Sequence, residues 1–389
     1  MRRIEMTPRS HWVQLAEKHG FVFHTDPDQT KYWDEGHAYA LTLKQVEQDL
    51  ETPTDDLAAL CYEAVDRVVR DEQLLDRVGV PADFRDLVRN SWVRGDRDLY
   101  GRFDFSYDGT GPAKLYEYNA DTPTTLYEAA IFQWIWLEER RADGTLPAGA
   151  DQFNSLHERL IEAFRGIGID GPLHMAAMAE SQEDVGTVEY LRDCAIQAGL
   201  DARFIPLAQI GVDARGDFTD LDDVHIRTLF KLYPWEHIAE DPFSAFVLND
   251  RTRFIEPPWK MVLGSKGILP ILWDIAPGHP NLLPTFFEDD PRAFQLGSSY
   301  VRKPIFSREG QNVTIIRPES EGGRFEVAGD YAKHPHIVQA YAPLPEFGGE
   351  YPMIGSWIVA GQSAGMGIRA ENSLVTLNGA RFVPHFILD

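Results

Sequence analysis

The segment RFDFSYDGTGPAKLYEYN, residues 102–119, sets two carboxylates, an amide and an arginine at alternating positions. Polar–aromatic alternation on both sides of a glycine-containing turn predicts a β-hairpin. Along the first strand Arg102, Asp104 and Ser106 share one face, and Phe103, Phe105 and Tyr107 share the other. Along the second, Leu115, Glu117 and Asn119 share a face, with Lys114, Tyr116 and Tyr118 opposite. A turn centred near Thr110–Gly111 sets Asp104 across from Glu117 and brings Arg102 near Asn119. Two carboxylates facing each other across a ladder repel. A hard divalent cation relieves that repulsion, because magnesium takes oxygen ligands at about 2.0–2.1 Å, typically one or two carboxylates plus substrate phosphates. Arg102 adds a planar fork for phosphate oxygens. Two other chemistries fit the same spacing: a solvated hairpin in which Arg102 neutralises Asp104, and a glycosidase-type carboxylate pair.

Two lysines stand in apolar surroundings. WKMVLGSKGILPILWDI puts Lys266 between a Gly-Ser turn and an apolar run, and YVRKPIFSREGQNV puts Lys303 on a strand that enters a loop containing Gly310. A lysine ahead of such a loop holds phosphate as a point charge while loop N–H groups close over it. GxxxxGK[ST] and GxGxxG are both absent, so neither a P-loop nor a dinucleotide fingerprint is present. The ordinary alternative for either lysine is a snorkelling surface residue. HIVQAYAPLP is a strand whose Gln339 amide suits a base edge. GQSAGMGIRAENSLVT puts Arg369 after a flexible glycine segment, positioned either to clamp developing charge on a phosphoryl or acyl phosphate or to pair with Glu371.

The elements that must hold these side chains are mixed. TPTDDLAALCYEAVDRVVRD has helical apolar spacing, and TTLYEAAIFQWIWLEERR is a strongly apolar helix. LHMAAMA, EDVGTVEYLRDCAIQAGL and ARFIPL read as strand, helix, strand, a βαβ unit with parallel strands. FQWIWLE and LHMAAMA read as core. From 299 onward the chain is strand-rich, so the fold class is mixed α/β with interleaved parts. The formal net charge of −24 over 389 residues disfavours nucleic acid and anionic membrane as partners and favours amines and metal ions, the alternative being that the acidity serves solubility alone. Cys61 and Cys194 sit in helical patterns, as buried free thiols rather than a disulfide. MRRIEMTPRSHW lacks the apolar core of a secretory signal, and no apolar run approaches the roughly 18 residues of a membrane span. A soluble, cytoplasmic protein is expected.

RFD, YEYNADTPT, EPPWKMVLGSKGILPILW, VRKPI, IVQ and GIRAENSLV follow one another in that order. The chain thereby resembles the synthetase domain of the glutathionylspermidine synthetase family, from about residue 90 to the C-terminus in these motifs and, as an expectation, over the whole of 1–389. The resemblance implies a permuted ATP-grasp fold with an associated βαβ pre-ATP-grasp-like unit. The corresponding division is a helical region with the metal-binding hairpin over 1–160, a βαβ substrate-side unit over 161–250 and a nucleotide-binding part over 251–389. It implies an ATP- and magnesium-dependent ligase that forms an amide between a carboxylic acid, possibly a peptide, and a cationic amine through an acyl phosphate. Asp104, Glu117 and Asn119 match the family's magnesium ligands, Arg102 its phosphate-side arginine, and Arg369 the arginine of its catalytic loop. Lys266 and Lys303 match its ATP lysines. Gly310 falls in the loop over the phosphates, Gln339 and Leu374 fall where the nucleotide is held, and Thr122, Glu183 and Asp184 fall near the acid substrate. The chain begins directly with the synthetase-like part, and its first cysteine is Cys61, so no amidase activity is expected. FKLYPWEHI keeps Lys231, Trp235 and Glu236 but is altered between them, so glutathione and spermidine are not assumed. A non-catalytic ATP-binding regulatory module is the alternative.

Overall fold

The computed structural model describes residues 1–25 and 30–388. Three of the five sheets among them position the site. The first is antiparallel, with strands in the order Arg381–Val383, Gln362–Glu371, Tyr351–Val359, Tyr100–Ser106 and Lys114–Asn119. It joins the early hairpin to strands from the C-terminal end of the chain. The second, also antiparallel, runs Thr285–Phe287, His336–Ala340, Tyr300–Pro304, Thr314–Ile316 and Phe325–Glu326. The third is parallel, in the order Arg253–Ile255, Thr228–Lys231, Leu173–Ala177, Ala202–Pro206. Its two strands Leu173–Ala177 and Ala202–Pro206 are linked by the helix Gln182–Gln197, which is the βαβ unit read from the sequence.

Local sequence accounts for the supports. The helix Thr52–Val68 has Pro53 in its first turn, where a missing N–H leaves nothing unpaired. Leu57, Cys61, Ala64, Val65 and Val68 recur at helical spacing and are buried. They press the helix onto the first sheet, where Thr54 Oγ1 lies 2.7 Å from Ser356 Oγ and Asp55 Oδ1 accepts the Ser363 N–H at 2.6 Å. The apolar helix after the hairpin opens as a π-turn, Glu128–Phe132, and continues as Gln133–Ala142. Phe132 and Trp136 are buried as expected of core, but Trp134 turns outward and is 37% exposed. Both cysteines are buried free thiols. Among the described residues no helix is long and apolar enough to cross a membrane.

The hairpin takes the register its spacing predicts, with Arg102 opposite Asn119 and Asp104 opposite Glu117. A bulge follows: the register shifts so that Phe105 faces Leu115, leaving Tyr116 as the extra residue. Strict alternation therefore fails at this point. Leu115 packs with Phe103 and Phe105 in the core instead of sharing the face of Glu117 and Asn119, while Tyr116 joins the cavity wall. The segment before Arg369 also differs from a flexible loop. It is part of the strand Gln362–Glu371, and its glycines leave space that Leu156 and Phe382 fill.

Candidate active site

All residues assigned a role from the sequence line one cavity of about 480 Å³ where the three sheets meet. The hairpin supplies one wall. Arg102 grips Asp104 with two parallel bonds, Nε to Oδ1 at 2.7 Å and Nη2 to Oδ2 at 3.0 Å. Its third nitrogen donates to Thr124 O at 2.5 Å and Thr125 Oγ1 at 3.2 Å. Asn119 Nδ2 reaches Asp104 Oδ2 at 3.0 Å and Glu117 Oε1 at 3.4 Å, so the amide bridges the two carboxylates. Opposite, Lys266 Nζ lies 3.2 Å from Glu117 Oε2 and donates to Ser307 O at 2.8 Å. Lys303 Nζ donates to Gln339 Oε1 at 2.8 Å and Tyr116 O at 3.1 Å. Two lysines distant in sequence thus come to one carboxylate.

Charge follows from this geometry. Burial alone would push the Glu117 carboxyl up, but Lys266 and then Lys303 outweigh it and hold the group down at about 2. Burial lowers Lys303 to about 8, with Glu117 opposing and Lys266 adding to the effect. A glycosidase pair needs one carboxyl that stays protonated. Lys266 and Lys303 beside Glu117 favour its carboxylate form, which leaves Glu117 unsuited to that role. Among the described residues no three His, Cys, Asp or Glu side chains cluster for a metal. Two carboxylates and one amide still form a hard-oxygen set that suits magnesium shared with phosphates, provided the Asn119 amide turns its oxygen inward, an orientation fixed only by its hydrogen bonds.

The remaining residues sort by wall. Gly310 has φ +71, and a Cβ there would lie 2.5 Å from Val375 Cγ1, so the loop closes against the segment that carries Leu374. Gln339 has its oxygen on Lys303 and its amide 3.4 Å from Leu115 O, so both ends of the group are engaged within the protein. Arg369 donates to Leu377 O at 2.7 Å, has a buried, unpartnered Nε, and makes no ion pair with Glu371. Thr122, Glu183 and Asp184 face in from the side of the parallel sheet. Glu183 is pushed up to about 8, first by burial and then by Glu128 and Asp184, against Arg369 and Arg102.

Arg308 is a cavity residue that the sequence reading missed. Its guanidinium bridges Glu236 Oε1 at 2.7 Å and Thr122 Oγ1 at 3.1 Å, tying the Gly310 loop to the parallel-sheet side. A cation two residues from the loop glycine was the available signal. Lys231, noted only within its motif, is buried against Asp121, whose other oxygen accepts the Trp235 N–H at 2.8 Å.

The hold on Arg102 gives a direct test. A Cβ at Gly355 would lie 2.6 Å from Arg102 Cδ. Gly355→Ala is therefore expected to displace the guanidinium and lower turnover about 100-fold, the scale on which small misplacements act. The chain should still fold, at the roughly 1–3 kcal/mol that overpacking costs. Steady-state rates beside a melting curve check this, and an unaffected rate would mean that Arg102's position does not matter.

The pattern of the glutathionylspermidine synthase pre-ATP-grasp family matches residues 3–388. A Haemophilus influenzae protein with a provisional description as an acid–amine ligase is 37% identical over 402 residues, covering 100% of both chains. Trypanothione synthetase of Crithidia fasciculata is 30% identical over 81% of this chain and 51% of its own length. The Escherichia coli bifunctional glutathionylspermidine synthetase/amidase is 28% identical over 88% of this chain and 58% of its own. The chain thus spans little more than half the length of these last two. A glutathione synthetase-like effector from Globodera pallida shares the fold, with TM-score 0.58 and 11% identity over 97% of this chain and 95% of that one. The fold is the mixed α/β ATP-grasp arrangement, the chain belongs to the glutathionylspermidine synthase family, and it is an ATP-dependent carbon–nitrogen ligase of the acid–amine type.

Proposed function

We propose that the ligase activates a peptide-like carboxylic acid as an acyl phosphate and transfers the acyl group to a cationic amine. The observation that carries this is the meeting of the Asp104–Glu117–Asn119 face with Lys266 and Lys303 across one carboxylate. Those three hairpin residues would hold magnesium, which neutralises charge on the transferring phosphoryl group. Arg102, Lys266 and Lys303 bind ATP phosphate oxygens, and the backbone around Gly310 covers them. Gln339 and Leu374 lie on the nucleotide side, and Thr122, Glu183 and Asp184 on the acid side. Positioning and charge neutralisation do most of the work in such a transfer. The carboxylate attacks the γ-phosphorus, and ADP leaves. The amine then attacks the carbonyl carbon, with Arg369 beside the oxygen that gains charge. No protein nucleophile is needed, in keeping with a buried Cys61 thiol pushed up to about 12.

A screen of short peptides, glutathione included, against amines, spermidine included, tests the reading by ADP release. Release is expected only with acid and amine together, and hydroxylamine should trap the activated acid as a hydroxamate. ATP binding without release under any pair would favour the regulatory-module alternative. The chain carries a formal net charge of −24, so the KM for the amine should rise with salt more than that for Mg-ATP, because ions screen over about 8 Å at physiological strength. A neutral amine as best substrate, or a salt-independent KM, would count against a cationic nucleophile.

A further inference from the structure

The segment EPPWK, residues 256–260, carries two charges that the reaction as described does not use. Glu256 and Lys260 are each 0% exposed, and their charged ends lie 3.3 Å apart. Pro257 and Pro258 stand between the parallel-sheet strand Arg253–Ile255 and the short helix Lys260–Gly264. Both charged side chains reach the open end of the Asp104–Glu117 hairpin. Glu256 accepts the Leu99 N–H, shared between its two oxygens at 3.2 Å each, and the Tyr100 N–H at 3.1 Å. Lys260 Nζ donates to Tyr100 O and to Ala120 O, at 2.9 Å each. Tyr100 opens the first strand, two residues before Arg102, and Ala120 follows Asn119 at the end of the second. One ammonium thus joins the two strands just beyond the Arg102–Asn119 pair that closes their ladder. Asp98 Oδ2 lies 3.2 Å from the same ammonium, and the Tyr62 hydroxyl donates to that carboxylate.

We propose that Lys260 and Glu256 are positioning residues that clamp the open end of the hairpin and so fix the spacing of Asp104, Glu117 and Asn119 around magnesium. This rests on the magnesium reading above. A buried ion pair is a poor source of stability, because well-packed apolar groups of similar volume often serve as well or better. What this pair supplies is geometry. Where the ladder's own bonds have ended, an ammonium shared by two carbonyls sets how far apart the strands stand. A binding constellation works when its members are held to about 0.5 Å. Magnesium is the strict case, since it demands a near-ideal octahedron, whereas calcium accepts six to eight oxygens in a flexible arrangement.

The same segment also sets the metal face against the phosphate lysines. It leaves the parallel sheet at Ile255, grips the first sheet through Glu256 and Lys260, and continues to Lys266. There the Lys266 N–H donates to Ile305 O at 2.8 Å, beside the strand of Lys303, while its ammonium meets Glu117.

ADP, which cannot be turned over, is the probe, titrated calorimetrically into the full chain with magnesium or with calcium. Lys260→Met combined with Glu256→Gln keeps the volume and removes both charges, so neither is left buried without the other. The melting temperature should stay near that of the parent, while Mg-ADP affinity falls about 10- to 100-fold, the usual loss when a partner behind a metal ligand is removed. Ca-ADP affinity should fall far less, because calcium tolerates displaced ligands. Glu256→Asp keeps the charge but draws the carboxylate back by one methylene, and it should show the same preferential loss of Mg-ADP if the double variant does not fold. Parent-like Mg-ADP affinity in either folded variant, or equal losses with the two metals, would overturn the clamp. Glu117→Gln, run in parallel, should abolish the metal dependence of ADP binding. Metal-independent ADP binding in the parent would strike the magnesium reading and the clamp with it. A metal effect that Glu117→Gln removes and the clamp variants keep would strike the clamp alone.

Discussion

Replacing Lys303 with methionine is expected to weaken Mg-ATP binding roughly 30- to 4,000-fold. That range converts the about 2–5 kcal/mol lost when one partner of a buried charge pair is truncated. Lys303 is 7% exposed, and its ammonium is held by Gln339 and Tyr116 O beside Glu117. Methionine fills the volume and keeps the stem. In the free protein Lys303 lies near 8, below the ordinary value for a lysine, chiefly because of burial. The sign of its linkage follows. Below about 8 the buried cation costs stability relative to the unfolded chain, and that cost fades as pH rises through the ordinary lysine range. Lys303→Met removes both this cost and the attraction to Glu117, so the melting temperature should move little while nucleotide affinity collapses. Bound phosphates favour the charged lysine. ATP affinity of the parent should therefore be level below pH 8 and fall above it, with proton uptake on binding near pH 9. Calorimetry in buffers of different ionisation enthalpy measures that uptake. Parent-like ATP affinity in Lys303→Met would remove Lys303 from the nucleotide site.

The hairpin was readable because a period of two leaves few choices. Once RFDFS and YEYN are strands, Asp104 and Glu117 must share a face and a rung. The bulge at Tyr116 was not readable, because one inserted residue leaves composition and polarity unchanged while moving Leu115 into the core. The βαβ unit was legible from continuous apolar strands about an amphipathic helix. The convergence of Lys266 and Lys303 on Glu117 was not, since pattern says nothing about which distant strands become neighbours. Family resemblance supplied the lysines' role. Arg308 escaped because it lies in a loop, where no periodicity assigns a face. Arg369 was singled out by type, but its glycine-rich neighbours disguised a strand as a loop.

Arg369→Ala is expected to lower turnover about 100- to 1,000-fold, the effect of removing one preorganised donor from a developing oxyanion, about 2.7–4 kcal/mol. Mg-ATP affinity should change far less, because the phosphate lysines come from the second sheet and its approach, while Arg369 stands on the first, pinned through Nη2 to Leu377 O. Its Nε is buried without a partner. A buried donor left unpaired costs about 1–3 kcal/mol, and an oxygen that gains charge during reaction would satisfy it. The stabilisation would then be greater in the transition state than in the ground state, the condition for a gain in turnover rather than in binding alone. Arg369→Lys should not restore the rate, since an ammonium lacks the planar fork that donates from Nε and Nη together. Rapid-quench measurement separates the steps. If Arg369 serves amide formation, hydroxamate trapping with hydroxylamine should show activated acid accumulating in Arg369→Ala while product formation lags. A variant that binds Mg-ATP as poorly as Lys303→Met would instead assign Arg369 to the nucleotide.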